Sequence, residues 1–414
     1  MPDIRPGSLP FQEAIDAFRS KLDIPSQHWD DLLGEVHAKA FTIAGATQAD
    51  LLADLRSAVD QAITDGTTIT DFRKRFDQAV ADHGWTYKGQ RGWRTRVIYD
   101  TNLRTARMAG KWDQFQRTKE NRPYLQYQTV GDARVRPEHA AWDERVLSVD
   151  DPWWNTHYPP NGWGCRCTVR SLSDQQLQRE GLSVSEAPPV ETTERINTGS
   201  GEIYGEVPQG IDTGWDYNVG KAWLGPDVAF GEKLMGLPTG MRTAALENAQ
   251  ALAPHLEKTF SPWVNRLLTR KQPLGEIRTV GYLSPRQVEE LIRRGQPPTT
   301  AVITATDKDV MHLLRDAKDG KHIPADMVRS LPEHITQPRA VLWDKRDPAL
   351  VYVFDIPGEQ RDGKVVVRVN YRVKGQGPDG ERRSLQTNSV RTGGLVQVRN
   401  LADGNIYDLV EGEL

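Results

Sequence analysis

The sequence predicts a multidomain chain, with a mainly α N-terminal part that includes a small strand element and a C-terminal α+β part built on an antiparallel sheet. Three observations predict it. The chain has 414 residues, whereas one domain takes roughly 100–200. Between Thr47 and Phe115 apolar side chains recur at helical spacing. Beyond Gly275 strands appear, and Val365, Val367, Val369, Tyr371 and Val373 alternate with Lys364, Arg368, Asn370 and Arg372.

The elements follow in order. Residues 1–47 form an N-terminal segment with a short helix around Phe11–Phe18. Thr47 with Asp50 is a capping signal for a helix carrying Leu51, Leu52, Leu55, Val59 and Ile63 as far as Gly66. A second helix starts at Thr70, carries Phe72, Phe76 and Val80, and stops at Gly84. A long helix from Trp93 to Phe115 places Arg104 within its apolar stripe, either snorkelling outward or paired with Asp132 or Asp143. Leu125–Val130 alternates as a strand, and Pro137 opens a short helix with His139 and Asp143 one turn apart. The stretch 153–164, rich in Trp, Tyr, Pro and Gly, reads as an irregular loop that ends in a strand at Cys165–Val169. Weak periodicity and Pro/Gly clusters place a connector at 173–225, followed by a helical spacer at 226–270. The last unit, 275–412, begins with a helix capped by Ser284, then a strand at 301–303, a helix over 308–318 and several strands.

Composition narrows the function classes. Hydrophobic residues make up 37% and include 12 Trp, enough to build several cores and to exclude wholesale disorder. No apolar run approaches the ~20 residues needed to span a bilayer, and the N-terminus lacks the pattern of a secretory signal. No membrane association is expected, and synthesis in a cytoplasm is. Net charge is -3 with no basic tail, so any contact with nucleic acid must be local. The two cysteines, Cys165 and Cys167, stand in Cys-Arg-Cys, a poor geometry for a mutual disulfide. With His139 and His157 upstream they offer the thiolate and imidazole ligands that zinc prefers; the alternative is small buried thiols beside packed rings.

The strings Arg96-Val97-Ile98-Tyr99-Asp100-Thr101-Asn102, Gly131-Asp132-Ala133-Arg134-Val135-Arg136-Pro137-Glu138-His139 and Pro159-Pro160-Asn161-Gly162-Trp163-Gly164-Cys165-Arg166-Cys167 resemble the phage Mu F-like family of minor head proteins over 48–172. Gly214-Trp215-Asp216-Tyr217-Asn218-Val219-Gly220 is also similar to such chains. The resemblance implies a virion component of a tailed phage or prophage, made in the host cytoplasm and needed in head morphogenesis near the portal inside the head. Implied partners are the portal protein, major capsid or scaffold proteins and packaged DNA. The family's signature positions are here Asp132, Arg134, Arg136, His139, Cys165 and Cys167, whose charged members could equally form a structural ion-pair network.

In 307–318, His312 and Arg315 lie opposite the face of Val310, Leu313, Leu314 and Ala317. Imidazole titrates near neutrality and suits acid/base work, though a histidine on a polar face can also be plain surface. The order of that helix, Pro338–Leu342, Tyr352–Phe354, Lys364–Asn370 and Asn388–Gly394 resembles the phage-borne branch of the barnase, EndoU, colicin and RelE nuclease superfamily over 275–412. That resemblance implies a metal-independent endoribonuclease acting on RNA, with His312, Arg391, Thr392 and Asn388 as catalytic positions and Arg315, Lys318, Arg368 and Asn370 on phosphate. Three readings result: a head-morphogenesis protein, a phage-delivered ribonuclease toxin, or a zinc-stabilised binding module without catalysis.

Overall fold

The computed structural model describes residues 11–31, 34–197, 201, 203–221, 224–270, 272–314, 322–376 and 382–414. The chain divides into two compact units, Met1–Ala222 and Trp223–Leu414.

The first unit opens with α1 (Gln12–Arg19) and the short parallel pair β1 (Leu22–Asp23) and β2 (Ala40–Phe41). Helices α2 (Ala49–Thr64), α3 (Ile69–Asp82) and α4 (Arg91–Thr118) follow. Leu51, Leu52, Leu55 and Val59 of α2 and Phe72 and Phe76 of α3 are fully enclosed in one core with Phe18, Phe41 and Ile98, as their helical spacing predicts. The first of these helices begins one residue later than the Thr47 signal implies, with Gln48 as its uncapped N-cap; α3 is capped by the Thr68 hydroxyl. On α4, Arg104 donates to the Cys165 carbonyl at 2.9 Å and pairs with Asp100 one turn away. Neither Asp132 nor Asp143 is its partner. Trp93, at the exposed start of α4, is not part of the apolar stripe.

Beyond α4 come β3 (Tyr124–Gln128), α5 (Pro137–Trp142), β4 (Val146–Ser148), α6 (Trp154–His157), β5 (Thr168–Leu172), α7 (Asp174–Glu180), β6 (Thr192–Ile196) and β7 (Ile203–Pro208). An antiparallel sheet runs β4-β3-β5, and β6 pairs with β7 as a separate hairpin. The aromatic stretch expected to be irregular contains one helical turn, α6, because Asp151 accepts from the Trp153 amide and starts it. The strand after the cysteines begins at Thr168, so both thiols precede it. Residues 203–221, expected within a connector, belong to this unit: Val207, Ile211, Trp215, Tyr217 and Val219 are buried with Trp142, Trp153, Trp154 and Tyr158. Their apolar residues follow no helix or strand period because loop geometry, rather than a repeat, directs them inward.

The second unit contains α8 (Leu224–Gly236), α9 (Thr239–Gln250), α10 (Ala253–Arg270), β8 (Ile277–Tyr282), α11 (Pro285–Arg293), β9 (Val302–Thr306), α12 (Asp307–Leu313), α13 (Ala325–Arg329), α14 (Leu331–Thr336), β10 (Ala340–Asp344), β11 (Ala349–Phe354), β12 (Asp362–Gln376), β13 (Arg382–Val396) and β14 (Tyr407–Gly412). Its seven-stranded sheet is ordered β14-β10-β11-β12-β13-β9-β8. The pairing is antiparallel except between β13 and β9. Helices α8, α9, α10 and α14 pack against β8, so the 226–270 stretch is helical as expected but is part of the unit's body, with Phe260, Trp263 and Val264 enclosed. Ser284 caps α11 in a full capping box with Gln287. No helix among the described residues is long and apolar enough to cross a membrane.

Candidate metal centre

Pro137 starts α5 and sends His139 inward, where its ring stacks on Trp142 at 4.9 Å. Its Nε2 lies 2.8 Å from the Gly210 carbonyl. A carbonyl only accepts, so Nε2 carries the proton and the lone pair of Nδ1 points the other way. There it meets the two sulfurs, Cys167 Sγ at 3.5 Å and Cys165 Sγ at 3.9 Å. All three ligand atoms lie within 4.8 Å of one another, and all three residues are buried. A nitrogen and a sulfur on one tetrahedral zinc, with bonds of ~2.0 and ~2.3 Å, stand about 3.6 Å apart. The observed separations fit that spacing. Hydrogen bonding to Cys167 and His139 pulls the Cys165 thiol well below its ordinary pKa, while the same contact with Cys165, and burial, push Cys167 up. Metal binding would require both thiols in their charged form.

The other motif residues hold this cluster from outside. Asp132 accepts both guanidinium nitrogens of Arg166, the residue between the cysteines, at 2.6 Å each, and its carboxyl lies far below the usual range for that reason first. Arg134 adds a second, exposed contact to Asp132. Arg136 makes a two-pronged pair with Asp212 at 2.8 Å and donates to the Trp163 carbonyl. Asp212 also accepts the Trp163 amide. Gly162 sits under this pair, and a Cβ there would stand 2.7 Å from Arg136 Nη1. Gly210 has φ of 81°, and a Cβ on it would meet Glu138 Cβ at 2.6 Å; only glycine brings its carbonyl to His139. Tyr127 donates to Asn161 beneath the thiols. Asn161 lies within the motif string Pro159–Cys167, whereas Asp212 and Gly210 lie outside every motif string, the nearest being 214–220.

His157 does not join the centre. Its Nδ1 bonds Thr156 Oγ1 at 2.8 Å, its ring stacks on Trp153 at 4.3 Å, and burial pushes its pKa down to about 4. It stands instead on the edge of Trp142, the same indole on which His139 stacks.

Of the expected nuclease positions in the second unit, His312 and Arg391 both lie near Asp309 of α12. His312 lies on α12, half-buried. Arg391 sits where the β12–β13 register shifts and pairs with Asp309 of α12 at 2.7 Å. The bulge has turned its side chain out of alternation toward that helix. Asn388 is fully buried and gives both amide hydrogens to the Thr300 and Val302 carbonyls. Thr392 is exposed, next to Gly393, whose missing Cβ faces Leu313. Neighbouring strand residues face opposite ways, so Thr392 points away from α12. Arg368 is neutralised by Asp347, and Asn370, at φ 53°, spends its side chain on Thr299 and Pro297. Arg315 and Lys318 lie outside the described residues.

A buried His/Cys/Cys cluster, clasped by the pairs Asp132–Arg166 and Arg136–Asp212 at the front of a two-unit chain, is built from the residues of the Mu F-like motif. The family model for Phage Mu protein F like protein matches residues 53–170, and the chain belongs to that family. It is 32% identical to the putative capsid assembly protein F of Escherichia phage Mu over 98% of this chain and 96% of that one. It is 30% identical to the Mu-like prophage FluMu F protein of Haemophilus influenzae over 94% and 99%. No solved structure matches the chain.

Proposed function

We propose that this chain is a head-assembly protein of a tailed phage or prophage, and that one zinc ion held by His139 Nδ1, Cys165 Sγ and Cys167 Sγ braces its first unit. The assembly role rests on likeness along nearly the whole chain to a protein named for capsid assembly. The observation that carries the metal is the convergence of three donors at ligand spacing around an imidazole whose other nitrogen is already committed to Gly210. That outer bond is the usual partner of a metal-bound histidine. The ion would bind both sulfurs as thiolates and link three stretches that are distant in sequence: α5, the Cys-Arg-Cys segment and, through Gly210, residues 203–221.

Metal analysis of the full chain purified without chelator tests the brace. About one zinc per chain is expected, and none in C165S or C167S; a folded, metal-free wild type defeats it. The assembly role predicts that heads made without the chain fail to mature, and that the chain is present in purified heads and cross-links there to the portal protein. Normal infectious particles from a deletion of 48–172 would falsify it.

A further inference from the structure

Tyr127 of β3 is fully buried, and its ring stands edge-on to Trp142 at 5.8 Å and to Trp153 at 6.0 Å. Two indoles that fix the ring also fix where its hydroxyl sits. That hydroxyl donates to Asn161 Oδ1 at 2.9 Å and lies within hydrogen-bonding reach of Cys167 Sγ as well. It has one proton and two acceptors. Asn161, itself fully enclosed, serves the other sulfur: its backbone amide hydrogen-bonds Cys165, and its carbonyl accepts the Asp212 amide at 3.0 Å.

The choice between the two acceptors depends on charge. A neutral thiol accepts weakly, so without an ion the amide oxygen of Asn161 is the better partner. Zinc-bound sulfur is a thiolate, and a hydrogen bond to an ionised acceptor is roughly twice as strong as one between neutral groups. Both cysteines are buried, so the donor that satisfies a charged sulfur must come from the protein. Cys165 has the Asn161 amide, and Tyr127 is the hydroxyl placed to do the same for Cys167.

We propose that Tyr127 is a positioning residue of the metal centre, whose O–H donates to Cys167 Sγ when the ion is bound, orienting that sulfur and drawing electron density from its lone pair. The inference rests on the metal reading above and adds to it the group that tunes one of the sulfurs. Loss of an outer partner of this kind weakens metal binding about 10–100-fold. The lower end is expected here, because the donor to Cys165 is a backbone amide that survives the substitution.

Cobalt(II) is the probe, because its thiolate-to-metal charge-transfer band reports on the sulfur lone pair. In the full chain, Tyr127→Phe should move that band to lower energy and weaken cobalt and zinc binding about tenfold in a chelator competition. Tyr158→Phe is the control. It also removes a buried hydroxyl, one that donates to the Met108 carbonyl instead, and should leave the band in place. If Tyr127→Phe does not fold, wild type loaded with cadmium-113 decides: the Tyr127 hydroxyl proton should be scalar-coupled to the metal through Cys167 Sγ. An unshifted band in Tyr127→Phe, the same shift in Tyr158→Phe, or an absent coupling overturns the proposal and leaves the metal reading standing. A wild type that takes up no cobalt overturns both.

Discussion

Residues 124–221 and the seven-stranded sheet of the second unit are closed by different chemistry. The first region has a three-stranded sheet and a small hairpin. Around them Trp142, Trp153, Trp154, Tyr158 and Trp215 enclose a histidine and two thiols, and two bidentate ion pairs fasten the loops. The second closes by aliphatic burial, with Val341, Leu350, Val351, Val353, Val365 and Val367 at or near zero exposure. Much of the first region is loop, so it must satisfy backbone groups and fix orientation through side chains; a sheet satisfies its own backbone and needs only volume filled. The first region should therefore fail when polar partners or metal are removed, and the second when methylenes are.

The comparison breaks most severely at the thiols. C165S should abolish zinc content and unfold the first unit by several kcal/mol of metal-linked stability, leaving the second unit's transition in place by calorimetry. One shared, equally shifted transition would erase the contrast. Next comes Leu342→Ala, at a side chain 1% exposed, expected to cost ~2–5 kcal/mol. Denaturant unfolding should assign that loss to the second unit with zinc content unaltered.

Asp212→Asn sharpens the picture on the polar side. It weakens the charge-assisted bonds from Arg136 and the Trp163 amide; Arg136 is partly open to solvent, so about 1–2 kcal/mol is expected, read as easier proteolysis of 203–221. A comparable loss in the second unit's stability would contradict the assignment. The smallest effect concerns pH. The His37 ring is pushed down to about 4 by burial, then by Lys21, and its Nε2 has no partner. Between that value and the ordinary 6.5 the unfolded chain binds more protons, so stability rises with pH through this window and is lost as pH falls. His37→Leu should flatten first-unit stability between pH 6.5 and 4 by roughly 1–2 kcal/mol; an unchanged slope would exclude the ring as its source.

How much was legible follows the same division. The periodic apolar residues of α2 and α3, the capped α11 and the alternating β12 announce their elements because local period and burial coincide there. The motif strings brought Asp132, Arg136, His139, Cys165 and Cys167 into view together. His157 is near the other donors in the chain, but its Nδ1 is bonded to Thr156 and its ring is stacked on Trp153. Asp212 and Gly210 stayed hidden because no spacing relates them to partners some 70 residues away.

By itself the sequence determined most helices and the main strands, since these depend on composition and on contacts within a few residues. Only the tertiary structure decided that 203–221 closes over the first unit, that Nε2 of His139 is spent on Gly210 so that Nδ1 faces both sulfurs, and that a strand bulge turns Arg391 to Asp309. Such choices are fixed by where distant backbone arrives, and a linear pattern carries no record of it.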